Sequence, residues 1–310
     1  MKRLIAGSAV LIVAGVLAGA LYAGDLEDQL RKAIDPTLKK FEGGNKPADQ
    51  SKPQSQPGAA AQPSTEIAPF GSISFEDERK IGSQIAGNLL GAAPLVKDAK
   101  LQQYVNKVGR WVAQKSTRPE LPWTFGVIEA ADINAFAAPG GYVFITRGLY
   151  AMLKDEAELA GVLGHEIGHV QQKHHLKVLQ QQQLLDFGSK LLGRQVAGND
   201  QNVQRIIGSG AEIMARGLDK SAEFEADRIG VVLAARAGYD PWGLPSVLQS
   251  LAAVAKSSSS VALLFKTHPA PEERLTQLGD AMGDRLDAIK NGRTLAERFS
   301  TVKPVKASAK

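Results

Sequence analysis

Apolar residues recur at helical spacing over most of this chain, and two short stretches break that rhythm. Ser74 can cap a helix with Asp77 three positions later, and Ile81, Ile85 and Leu89 then follow on one face. The residues from Asp98 to Gln114 repeat the pattern through Leu101, Tyr104, Val105, Val108 and Trp111. WTFGVIEA reads as a strand, and in NAFAAPGGYVFITRGL a turn precedes a second strand, Tyr142 to Thr146. A long helix is predicted from Asp155 to about Leu185. Between Asp186 and Lys220, apolar helical pieces at Phe187 to Leu192 and Val203 to Met214 flank the polar turn GNDQN. Further helices are predicted over Ser221 to Ala237, stopped by GYDP, over Leu244 to Ala255, and over EERLTQLGDAM, which Pro271 can open. The expected fold class is α+β: mainly helical, with a small β-sheet inserted before the helix that carries HEIGHV.

The two ends look different. MKR is followed by Leu4 to Ala23 without a charge, so residues 1–23 are expected to be a signal peptide or a membrane anchor. Ala18 and Ala20 offer small residues for cleavage, and either outcome places the rest outside the cytoplasm, in a periplasm. Residues 24–71 are expected to be a flexible linker with a short charged helix, because Gly, Pro, Ser, Gln and Ala dominate it from Gly43 onward. The folded domain is expected at 72–300 and a disordered tail at 301–310. Composition adds exclusions. The 310 residues include no cysteine, which removes disulfide scaffolds, thiolate-held zinc and thiol nucleophiles. The formal charge of +5 is spread along the chain with few aromatics, so no nucleic-acid partner is expected.

Candidate chemistry concentrates in HEIGHV. Residues four apart on a helix point the same way, so His165 and His169 can hold one ion, with Glu166 beside them to reach a water on it. That arrangement serves metal-assisted peptide hydrolysis, with the glutamate as general base. Four of the chain's five histidines lie between His165 and His175. Gly161, Gly164 and Gly168 give the same helix one smooth side, which suggests another backbone packed close against it. In SAEFEADRIG, Glu223 can supply a third ligand, and Asp227, one turn on, can accept a hydrogen bond from the far nitrogen of a ligand histidine. Glu225 points away from both. With Gln172 rather than glycine after the second histidine, VQQKHH is expected to continue as helix. His174 and His175 are then solvated or lie one layer behind the ligands.

Four stretches, NAFAAPGGYVFITRGL, ELAGVLGHEIGHVQQKH, EFEADRIG and THPAPEERL, together resemble the M48 family of zinc metalloendopeptidases. The resemblance implies a zincin-like domain and one catalytic Zn2+. It implies His165, His169 and Glu223 as ligands, Glu166 as general base and Asp227 behind the ligands. It implies that the segment containing Asn134, Ala135 and Phe136 takes the substrate as an added strand. His268 of THP matches a family histidine that approaches the metal, stabilises the transition state, or holds a latent state; a structural loop contact is the alternative. Arg274 would partner an acid. The implied function is hydrolysis of internal peptide bonds in unfolded or misassembled envelope proteins, with envelope or membrane-associated proteins as partners. The alternative is a latent or inactive zinc-binding, chaperone-like protein. Residues 276–310 are too few for the long C-terminal repeat docking domain of many envelope relatives.

Overall fold

The computed structural model describes residues 73–181, 218–255, 259–286, 289 and 291–302. The leading apolar segment, the linker, the pieces at Phe187 to Leu192 and Val203 to Met214, and the tail KPVKASAK lie outside the described residues. Among the described residues, no helix is long and apolar enough to cross a membrane.

The cap read from the sequence forms, and a second helix start has its own. Helix α1 (Phe75–Ala92) starts where the Ser74 hydroxyl accepts the Asp77 N–H, and α2 (Ala99–Ala113) starts on the Asp98 carboxylate. Strand β1 (Thr124–Ile128) pairs in parallel with β3 (Tyr142–Thr146). Between them in sequence is a third strand that the apolar pattern did not announce, β2 (Ala135–Ala138), antiparallel to β3. The order β1-β3-β2 leaves β2 at an edge. AFAA is short and alanine-rich, with weak strand propensity of its own, so its conformation comes from pairing with β3. The short helix α3 (Arg147–Met152) follows β3 directly.

Helix α4 (Glu156–Gln171) carries HEIGHV and is buried from Glu156 to Val170. It is enclosed by α2, the sheet, α5 (Lys220–Arg236) and α6 (Gly243–Ala255). The smooth side works as anticipated: a Cβ on Gly164 would lie 2.8 Å from the Gly230 carbonyl oxygen, and one on Gly230 would lie 2.7 Å from the His165 nitrogen. Backbone meets backbone here, so neither helix can yield locally. Gly230→Ala is expected to destabilise by about 1–3 kcal/mol, read as a lower midpoint of urea unfolding. An unchanged midpoint would contradict this packing.

One element differs from expectation. The helix predicted to about Leu185 stops at Gln171, and a second helical stretch covers residues 174–181. The break is at Lys173, which adopts φ 57, the left-handed region. Apolar spacing could not register it, because Leu176 and Leu179 still reach a core, now the one formed by Ile81, Ile85, Tyr142 and Phe144.

Two buried carboxylates tie distant segments together. Glu78 of α1 accepts both Arg118 guanidinium nitrogens at 2.8 and 2.9 Å and the Gly140 N–H at 3.2 Å, with Lys173 Nζ 3.5 Å away. Burial alone would raise its pKa, but the Arg118 charge and hydrogen bond outweigh it and hold the carboxyl below its ordinary value. Glu156, at the start of α4, accepts hydrogen bonds from Tyr104, Tyr239 and Arg298. Arg298 belongs to α9 (Ala296–Ser300), whose Phe299 is fully buried against Tyr104 and Tyr150. Before α9 come two further helices, α7 (Leu264–Thr267) and α8 (Pro271–Met282), the latter opened by Pro271.

Candidate metal centre

Four side chains from three chain segments converge. His165 and His169 project from one face of α4, and their Nε2 atoms stand 3.0 Å apart. Glu223, in the first turn of α5, brings one carboxylate oxygen to 3.6 Å from His165 Nε2 and the other to 3.5 Å from His169 Nε2. His268, just after α7, places Nδ1 3.0 and 2.8 Å from the two Glu223 oxygens. One donor atom from each of these four buried residues falls within 4.8 Å of the others, so together they can hold a metal ion. Imidazole nitrogens with one carboxylate are a donor set that suits zinc and its neighbours among the transition metals.

Behind this cluster, Asp227 Oδ1 lies 2.9 Å from His165 Nδ1. Arg274, 4 % exposed in α8, donates Nε to Asp227 Oδ2 at 2.8 Å and Nη2 to Oδ1 at 2.6 Å. Its Nη2 is also 3.3 Å from His165 Nδ1, and its Nη1 is 3.7 Å from Glu223. Arg274 therefore faces two buried acids rather than one. Burial disfavours the ionised acids, yet nearby charge outweighs it: His268 above all lowers Glu223 to about 2, and Arg274 lowers Asp227 further below its ordinary value. Reciprocally, Glu223 overcomes burial to raise the His268 pKa. His169 has no such compensation, and burial pushes its pKa well down, keeping the ring neutral.

Glu166 is 2 % exposed and adjoins His165 on α4. Burial raises its pKa. Its Oε2 is buried without a hydrogen-bonding partner among the described residues. A polar atom left this way costs about 1–3 kcal/mol unless a ligand or water satisfies it. It faces a recess lined by Ala135, Val162, Leu248, Leu251, Leu264 and His268.

The structure separates the three residues suggested for strand pairing. Asn134 is fully buried: its carbonyl accepts the Thr146 N–H at 2.9 Å, and its own N–H goes to the Thr146 hydroxyl at 3.0 Å. Phe136 is opposite Phe144 in the same inward phase. Ala135 and Ala137 alternate with them, and their backbone groups point to the outer edge of β2. There the Ala135 N–H is taken by the Asn134 side chain at 2.9 Å. Asn134 thus braces the strand, and the buried Ala137, within the matched segment but not singled out in it, turns its backbone to the edge.

Of the two places expected for the histidines after α4, the structure gives His174 the one behind His169. His174 is not solvated: it is 5 % exposed, with Nδ1 2.9 Å from His169 Nδ1. Glu225 does point away from the four-residue cluster, but it meets His174 Nε2 at 3.2 Å and accepts Gln172 Nε2 at 2.7 Å. His175 is half-buried, with its ring centroid 5.7 Å from that of His169. Burial and the neighbouring His268 charge push its pKa down to about 3. It stands outside the cluster.

The beta-barrel assembly-enhancing protease of Escherichia coli (strain K12) is 33% identical over 212 residues, which are 66% of this chain and 43% of that one. The mitochondrial metalloendopeptidase OMA1 of Arabidopsis thaliana is 28% identical over 210 residues, 66% of this chain and 42% of that one. The chain therefore spans less than half the length of either relative. The sequence model of Peptidase family M48 matches residues 99–281, from the first residue of α2 to the last turn of α8. The chain belongs to peptidase family M48.

Proposed function

We propose that this protein is a zinc-dependent endopeptidase that cleaves unfolded or misassembled polypeptides of the cell envelope. The observation that carries the reading is the orphaned Glu166 oxygen beside the convergent nitrogens of His165 and His169 and the Glu223 carboxylate. In this reading His165, His169 and Glu223 hold the ion. Zinc, when bound, supplies the Lewis acid that lowers the pKa of water and polarises the peptide carbonyl. Glu166 takes the proton of the attacking water and returns it to the leaving amine. Asp227 accepts from His165 Nδ1 and so leaves the Nε2 lone pair for the metal, while Arg274 fixes Asp227. The substrate backbone adds to the edge at Ala135 and Ala137, which grips an extended chain with little sequence preference. The apolar recess takes a side chain of the kind that unfolded proteins expose. The envelope location rests on the apolar leader, which gives a soluble periplasmic enzyme if cleaved and an inner-membrane tether if kept.

A second reading is favoured by His268. As a fourth donor beside Glu223 it would complete a tetrahedral shell, and a catalytic site keeps one position open. The protein would then be latent until His268 leaves. Hydrolysis of unfolded casein, with and without chelator and with zinc quantified in the same sample, separates the two. Chelator-sensitive cleavage supports the enzyme; a full zinc complement without cleavage supports latency; no zinc at all sinks both. Glu223→Ala is expected to lower bound zinc to a small fraction of the wild-type content. An unchanged content would remove Glu223 from the ligand set.

A further inference from the structure

We infer that His174 and Glu225 are positioning residues for His169, fixing which of its nitrogens carries the proton. The inference rests on the reading of His165, His169 and Glu223 as a metal centre. The chain of contacts is short and has one consistent direction. An ionised carboxylate only accepts hydrogen bonds. Glu225 Oε2, 3.2 Å from His174 Nε2, therefore requires the His174 proton on Nε2. A neutral imidazole has one N–H, so His174 Nδ1 is an acceptor. It lies 2.9 Å from His169 Nδ1, which must then be the donor. His169 is left with a bare lone pair on Nε2, the nitrogen that faces His165 and Glu223. The opposite arrangement sets two acceptors against each other at Glu225 and puts a proton where a metal would bind. Gln172 Nε2, donating to the other Glu225 oxygen at 2.7 Å, holds the carboxylate in place.

The break after α4 is what permits this contact. In an unbroken helix a residue five positions on is turned by roughly 140° at 3.6 residues per turn. His174 would then leave the face of His169. The left-handed Lys173 restarts the helix and brings the His174 ring back to His169, with a centroid separation of 5.1 Å. Lysine in that conformation is strained, and such strain gathers at functional sites. The two ligand histidines are thus served alike. Asp227 sets the tautomer of His165 directly, and Glu225 sets that of His169 through His174. Both acids lie on α5, two and four residues after Glu223.

The test uses the full chain, labelled with 15N-histidine and loaded with zinc. Long-range proton–nitrogen NMR is expected to show His174 as the Nε2–H tautomer and His169 as the Nδ1–H tautomer, with His174→Phe assigning the His174 signals by their loss. Glu225→Ala changes a partly exposed residue. It is expected to release His174 from its single tautomer and to weaken zinc binding, measured by competition with a chromophoric chelator, by about 10–100-fold. His174→Phe should weaken it to a similar degree. An Nδ1–H tautomer at His174, or unchanged zinc affinity in Glu225→Ala, overturns the inference while leaving the metal centre intact. A wild-type chain that binds no zinc overturns both.

Discussion

Glu166→Gln is expected to lower casein hydrolysis by about 10²–10⁴-fold, the usual contribution of a positioned general base, and to leave bound zinc at the wild-type level. The amide has the shape of the carboxylate but cannot take a proton from water. Metal is retained because Glu166 is not among the four residues that converge. Stability is expected to hold or rise. Burial raises the Glu166 pKa, so at neutral pH the fold works against its ionised form, and a neutral amide removes that conflict. A purified variant that keeps full activity would sink the assignment. A variant that loses both activity and zinc would show that Glu166 supports the site rather than the chemistry.

The largest expected loss of stability is at Arg274. Arg274→Ala leaves the fully enclosed Asp227 and Glu223 without the cation that makes two hydrogen bonds to one and approaches the other. Removing one partner of a buried ion pair costs about 3–5 kcal/mol, because the remaining charge is stranded. The variant should unfold at markedly lower urea and bind zinc weakly, since Asp227 would no longer be held against His165. The double variant Asp227→Asn, Arg274→Gln strands no charge at position 227, leaves Glu223 with His268 as its partner, and should recover part of the stability. If Arg274→Ala stays within about 1 kcal/mol of the wild type, a range typical of exposed pairs, the enclosed pair is not what holds α8 to the site.

What could be read in the sequence was mostly what neighbours along a helix decide. Ser74 as a cap, Asp98 and Pro271 as helix starts, the spacing of His165 and His169, and that of Glu223 and Asp227 are all local, and the structure shows each on the helix expected. The close approach at Gly164 and Gly230 was readable because glycine in a helix has a cost that only tight packing offsets. The rest depends on partners far along the chain or on a single residue. Strand β2 owes its conformation to β3. Glu156 meets Arg298 from 142 residues away. One left-handed residue, Lys173, changed the direction of two histidines while the apolar spacing around it stayed helical. His174 was placed in solvent or one layer back on the assumption of a continuous helix, and Glu225 was set aside as pointing away from Glu223 and Asp227; the link from His169 through His174 to Glu225 appears only once that helix is broken.

The Glu78 carboxylate has a mechanical consequence. Through Gly140 it grips the β2–β3 hairpin, and through Arg118, which also reaches the Val170 carbonyl, it grips the end of α4. The strand edge and the histidine pair His165 and His169 are thereby clamped to one post and form the fixed jaw of a vice. The other jaw is His268, carried on a stretch between the four-residue α7 and Pro271, whose ring meets Glu223 as its hydrogen-bonding partner among the described residues. If this vice opens to admit a chain, the travel belongs to His268, and the spacing between the strand edge and Glu166 stays constant.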